Sequence, residues 1–124
     1  MKRQGRLILT LYGYAELVTN LKLLDGDCKQ HILSGSYDAS CRLWSLSYQR
    51  CLKSYHGHSH YVTSILTLSS TIFISASEEL IGWKVYSGKS FRIDSSAFIP
   101  TVIKLDGDKL LTTCNDGALN VWNY

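Results

Sequence analysis

No two of the four cysteines, Cys28, Cys41, Cys51 and Cys114, stand at C-x-x-C spacing. That excludes a zinc knuckle and a thioredoxin-type redox pair. There is no Gly-x-Ser-x-Gly nucleophile elbow and no Gly-rich phosphate loop. The basic start, Met1-Lys2-Arg3-Gln4-Gly5-Arg6, is followed by an apolar run, Leu7 to Tyr12, too short for a secretion signal. Free thiols in a reducing compartment are therefore expected, and with them an intracellular protein of the cytoplasm or nucleus. Long hydrophobic runs are missing as well. Ser54 to Ser77 contains no Asp, Glu, Lys or Arg, but eight of the seventeen residues from Tyr61 to Ser77 are Ser or Thr. A spanning helix needs ~20 mostly apolar residues, so no membrane segment is expected.

What remains is the composition of a folded domain. The 124 residues are 45% hydrophobic, 11% aromatic and 19% charged, too apolar for disorder. Thirteen Lys and Arg against ten Asp and Glu leave a net charge of +3 that is spread along the chain. Only Lys2, Arg3 and Arg6 form a short basic arm, so a nucleic-acid partner is not expected. One proline and sixteen serines fit many short strands joined by polar turns. No segment sustains a 3.6-residue apolar period. The expected fold class is all-β.

The three tryptophans organise the chain. Trp44, Trp83 and Trp122 are separated by 39 residues and then by 39 again. Their surroundings repeat too. Asp38, Ser77 and Asp116 stand six residues before them, and Ser36, Ser75 and Cys114 eight before. Leu33, Ile72 and Leu111 stand eleven before. A fixed period of this size marks a stacked-repeat architecture. Val62, Ser64 and Leu66 alternate with Thr63, Ile65 and Thr67, the period of a strand. Asp25-Gly26-Asp27, Asp106-Gly107-Asp108 and Asn115-Asp116-Gly117 supply turns. Leu43 and Trp44 are adjacent and both apolar, as are Val121 and Trp122, so these strands need neighbours on both faces.

Arg42-Leu43-Trp44-Ser45, Val121-Trp122-Asn123, Gly57-His58 and Ser34-Gly35-Ser36-Tyr37-Asp38 together resemble WD-repeat β-propeller sequence over nearly the whole length. The resemblance implies three propeller blades. Residues 6–12 would be an N-terminal outer strand, 16–55 blade one, 58–94 blade two and 97–124 blade three without its outer strand. It also implies a hydrogen-bonded chain inside each blade, linking a loop His, a Ser or Thr, a turn Asp and the Trp. The best copy would be His58, Ser75 and Trp83, with Ser77 at the turn position and Glu78 as a substitute acid. Blade one would use Ser36, Asp38 and Trp44 with Tyr14 in place of the His. Blade three would keep Asp116 and Trp122.

Propellers close with ~4–8 blades, so three blades form a partial ring. Three arrangements are open. The chain is part of a longer propeller, or two copies close a six-bladed ring as a homodimer, or it is a solitary open arc.

His56, His58 and His60 alternate and could suggest a metal clamp, but no Asp, Glu or Cys close in sequence completes a ligand shell. The carboxylates sit in turns, and the adjacent pair Glu78-Glu79 would point to opposite faces of a strand. No metal, cofactor or catalytic residue is expected. The resemblance implies a non-catalytic scaffold or adaptor that docks a protein partner on the narrow face of the propeller. Carried over by position, the docking residues are Leu17, Tyr61 and Pro100 after the Gly-His position, with Phe98 and Ile99 in the same loop. Tyr37, Ala76 and Asn115 precede the turn position held by Asp38, Ser77 and Asp116. A central-channel ligand or enzymatic site and an RNA-associated propeller are the alternatives.

Overall fold

The computed structural model describes residues 4–13, 16–24, 30–94, 101–104, 107–114 and 116–123. They form eleven strands and no helix. In the first sheet β1 (Val18–Leu24), β2 (His31–Ser36), β3 (Ser40–Ser45) and β4 (Arg50–His56) lie side by side in chain order. The second repeats this with β5 (Ser64–Thr67), β6 (Ile72–Ala76), β7 (Leu80–Lys84) and β8 (Ser90–Asp94). The third has β9 (Val102–Lys104), β10 (Lys109–Thr113) and β11 (Leu119–Asn123). Every pairing is antiparallel. The sheets are propeller-like blades, and the three do not close a ring.

Blade two is buried on both faces because its strands carry apolar side chains in both phases of the pleat. Phe73 and Trp83 face blade one, where they meet Leu33, Cys41, Leu43 and Tyr55 in one core. Ile74, Ala76 and Leu80 point the other way, onto Val102 and Leu110 of blade three. Three rings lock the first core: Tyr55 lies edge-on to Phe73 at 4.9 Å and to Trp83 at 5.6 Å. The Tyr55 hydroxyl donates across the blades to the Val85 carbonyl at 2.5 Å. Burial pushes the Cys41 thiol up to about 12, so this cysteine is an inert core residue. Cys41, Cys51 and Cys114 are all free.

Two expectations meet a different outcome at the ends of the arc. Residues 6–12 pair with no strand among the described residues. Leu9 and Leu11 lie instead beside the outer face of blade one, where they line a cleft of about 340 Å³ with Val18, Leu21, Ile32 and Trp44. A strand exists only through a partner, and the free edge β11 belongs to another sheet. Trp122 is half-buried rather than a core residue, because β11 is an edge strand with nothing paired outside it among the described residues. Trp44 and Trp83 are 5% and 3% exposed.

Candidate functional site: the loop end of the blades

The meander places the β2–β3 and β6–β7 turns and the β4–β5 connection at one end of the blades. The turn lengths decide which side chains meet there. Gly35 pairs with Cys41 and Thr113 with Leu119, so residues 36–40 and 114–118 bridge these hairpins. In blade two Ala76 pairs with Leu80, and only residues 77–79 lie between. This hairpin is two residues shorter.

The shortening moves the hydroxyl that each indole reaches. Trp44 Nε1 donates to Ser34 Oγ at 2.7 Å and Trp122 Nε1 to Thr112 Oγ1 at 2.8 Å, each ten residues back. Trp83 Nε1 donates to Ser75 Oγ at 2.7 Å, eight residues back. Equal spacing of the tryptophans therefore hides unequal spacing of their partners. Ser36, expected beside Trp44, is on different duty. Its hydroxyl donates to the Leu17 carbonyl at 2.9 Å and accepts the Asp38 N–H. Likewise Ser77 is not the counterpart of Asp38: its Oγ is buried with no hydrogen-bond partner among the described residues.

Glu79 fills that position in blade two. His58 Nε2 lies 2.6 Å from Ser75 Oγ, and its Nδ1 is 3.6 Å from Glu79 Oε1. Arg92 Nη1 holds the other carboxylate oxygen at 3.1 Å, and Ser59 N–H and Oγ reach Oε1 at 3.5 and 3.4 Å. A proton on Nδ1 faces the carboxylate, which leaves Nε2 to accept from the Ser75 hydroxyl. The hydrogen-bonded chain then runs Trp83 to Ser75 to His58, and Glu79 stands in ion-pair range of the imidazole at 3.6 Å. Glu78 takes no part in it. Its Oε1 meets His60 Nε2 at 3.0 Å on the surface. Among the described residues no group of His, Cys, Asp and Glu could hold a metal ion.

Burial lowers the His58 pKa below its ordinary 6.5, outweighing the pull of Glu79 in the other direction. Burial raises Glu79, but the Arg92 and Ser59 hydrogen bonds and the His58 and Arg92 charges outweigh it and leave the carboxyl below its usual range. Both shifts act the same way on stability. Below about pH 6.5 the unfolded chain takes up a proton at His58 that the folded one resists, and at lower pH the same holds for Glu79. The melting temperature is expected to fall as pH drops from about 7 to about 4, and His58→Gln to flatten the upper part of that decline. A melting temperature that rises on acidification contradicts this arrangement.

Asp38 and Asp116 serve their turns. Asp38 Oδ1 accepts the Ser40 N–H at 2.9 Å and its hydroxyl at 2.6 Å, and Asp116 Oδ1 accepts the Ala118 N–H at 3.0 Å. Around them the backbone is tied together. Tyr37 N–H donates to the Leu17 carbonyl at 2.9 Å, Val62 N–H to the Ser36 carbonyl at 3.0 Å and Thr63 N–H to the Ala76 carbonyl at 2.8 Å. On this frame the Tyr37 and Tyr61 rings meet with centroids 4.7 Å apart, tilted by 43°. They are 50% and 38% exposed, beside an exposed Leu17. Ala76 is fully buried, since the short hairpin keeps it in the ladder, and it offers no surface. Asn115, Phe98, Ile99, Pro100 and Tyr14 lie outside the described residues. The residues that the sequence pattern misses are Ser34, Thr112, Glu79 and Arg92. Ser34, Thr112 and Glu79 are hidden by the two-residue difference between hairpins. Arg92 sits on an outer strand that carries no repeat signal.

Residues 5–45 match the family model described as "WD domain, G-beta repeat". The chain is 31% identical over 118 residues to the methylosome protein WDR77 of Xenopus laevis, covering 89% of this chain and 35% of that protein. It is 28% identical over 116 residues to an F-box/WD-40 repeat-containing protein of Arabidopsis thaliana, covering 90% of this chain and 21% of that one. It is also 41% identical over 54 residues to the ribosome biogenesis protein YTM1 of Saccharomyces cerevisiae, covering 44% and 12%. The chain thus spans about a third or less of the curated relatives it matches. WD repeats generally mediate protein–protein interaction and are generally non-catalytic scaffolds. No helix among the described residues is long and apolar enough to cross a membrane. The matches agree with meander blades whose third strands carry hydroxyl-bonded tryptophans: residues 5–45 are WD-repeat sequence, and nearly the whole chain is similar to WD-repeat proteins.

Proposed function

We propose that the chain is a non-catalytic scaffold inside the cell, and that it docks a protein partner on the loop end of its blades. The observation that carries this reading is the Tyr37–Tyr61 pair. Two large rings stand half-exposed at the junction of blades one and two, on loops already fixed by backbone hydrogen bonds. Tyrosines on a rigid frame offer wide contact area with little entropy to lose on binding. Leu17 extends the surface, and Asn115, Phe98 and Ile99 are its candidates on the third blade. The outer face of blade one and the free edge of β11 are where further blades, or a second copy, would complete the ring.

Tyr37→Ala and Tyr61→Ala are expected to leave the β-sheet circular dichroism and melting temperature nearly unchanged. Each is expected to cost a bound partner on the order of 2 kcal/mol, about thirtyfold in affinity. Titration calorimetry against a partner isolated with the wild-type chain reads this directly. Unchanged affinity in both variants contradicts the proposed face.

A further inference from the structure

The described residues of the loop end are 13, 16–17, 36–40, 56–63, 77–79, 101, 114 and 116–118. They contain no Lys or Arg, although the whole chain carries a net +3. They do contain Glu16, Asp38, Glu78, Glu79 and Asp116. Among the described residues the turns at the opposite end carry both signs, with Asp108 and Lys89. The loop segments themselves are therefore acidic, and the Arg92 guanidinium that reaches them from β8 is paired with Glu79.

Not all five carboxylates are spent internally. Glu79 is neutralised by Arg92 and is buried. Arg42, the other guanidinium on the strands below, packs under Gly13. Asp38 uses one oxygen for its turn, and Glu16 and Glu78 are on the surface, with Glu78 against His60. Three of these carboxylates are tied to the tyrosine pair through neighbouring residues. Glu16 precedes Leu17, whose carbonyl accepts the Tyr37 N–H, Asp38 follows Tyr37, and Glu78 pairs with His60, the residue before Tyr61. Aromatic faces attract a cation by their quadrupole, and nearby carboxylates attract the same cation by charge.

We infer that the partner segment docking on this face is a basic peptide, with a Lys or Arg side chain set over Tyr37 and Tyr61 and its neighbours facing Glu16, Asp38 and Glu78. The inference rests on the docking face proposed above and adds the chemistry of its occupant.

The probe is a fluorescent nona-arginine peptide, titrated by anisotropy against the full chain, with nona-glutamate and a uridine oligomer as comparisons. Three variants are compared with the wild type: Tyr37→Ala/Tyr61→Ala, Glu16→Gln/Glu78→Gln, and Asp108→Asn at the opposite end as a control. Nona-arginine is expected to bind in preference to the other two probes. Each loop-end double variant should weaken it by about tenfold, and the control should leave it unchanged. If the tyrosine variant weakens binding and the glutamate variant does not, the docking face stands and its cationic occupant is wrong. Equal loss in the control, or no loss in either loop-end variant, overturns both. Tighter binding of nona-glutamate or the uridine oligomer at the same tyrosines replaces the basic peptide with an acidic or nucleic-acid partner.

Discussion

Replacing Trp83 by alanine is expected to cost about 3–5 kcal/mol, the usual range for deleting a buried indole. The ring is 3% exposed, stacks near-parallel to Phe73 with centroids 6.2 Å apart, and meets Tyr55 edge-on. Gly57 comes so close above it that a Cβ there would lie 3.0 Å from the ring. No neighbour can collapse into the space without breaking the core shared by blades one and two. With stabilities of about 5–15 kcal/mol typical of whole domains, the variant should unfold at much lower urea concentration than the wild type. Trp122→Ala should cost less, since that ring is only half-buried. Cooperative urea unfolding of Trp83→Ala at the wild-type midpoint contradicts this packing.

The second large effect is expected from the smaller side chain of Ser75. Its hydroxyl accepts from Trp83 and sits 2.6 Å from His58 Nε2, and both partners are out of solvent. Ser75→Ala removes one oxygen and strands two buried polar groups. Each such loss costs about 1–3 kcal/mol, so a total of about 2–6 kcal/mol is expected from equilibrium unfolding. Ser75→Thr, which keeps the hydroxyl, should recover part of it. If alanine and threonine behave alike, the hydroxyl is not the link between the indole and the imidazole.

Most of the architecture could be read from the residues. Alternation in Val62 to Thr67 and adjacent apolar pairs at Leu43-Trp44 required strands buried on both faces, and the 39-residue period placed them in repeating blades. The internal wiring was less legible, because a period counted from tryptophan to tryptophan fixes the third strand of each blade and nothing else. Ser34 and Ser75 are 41 residues apart, and Ser75 and Thr112 are 37 apart. Only strand pairing shows that these three positions are equivalent. The same offset led to Ser77 and Glu78 at the turn, where the longer Glu79 side chain meets His58. Exposure at the loop end was legible only as residue type. Tyr37 and Tyr61 stood out as tyrosines, and their contact across two loops is a tertiary fact.

The most direct test of the account is an indole N–H spectrum of nitrogen-labelled chain, recorded for Ser34→Ala and Ser36→Ala. The account predicts that Ser34→Ala moves the Trp44 indole resonance upfield and speeds its exchange with solvent, because that N–H loses its 2.7 Å acceptor. Ser36→Ala should leave the resonance in place, since its hydroxyl serves Leu17 and Asp38. The reverse outcome, a Trp44 resonance that follows Ser36 and ignores Ser34, would contradict the blade register on which the docking face is built.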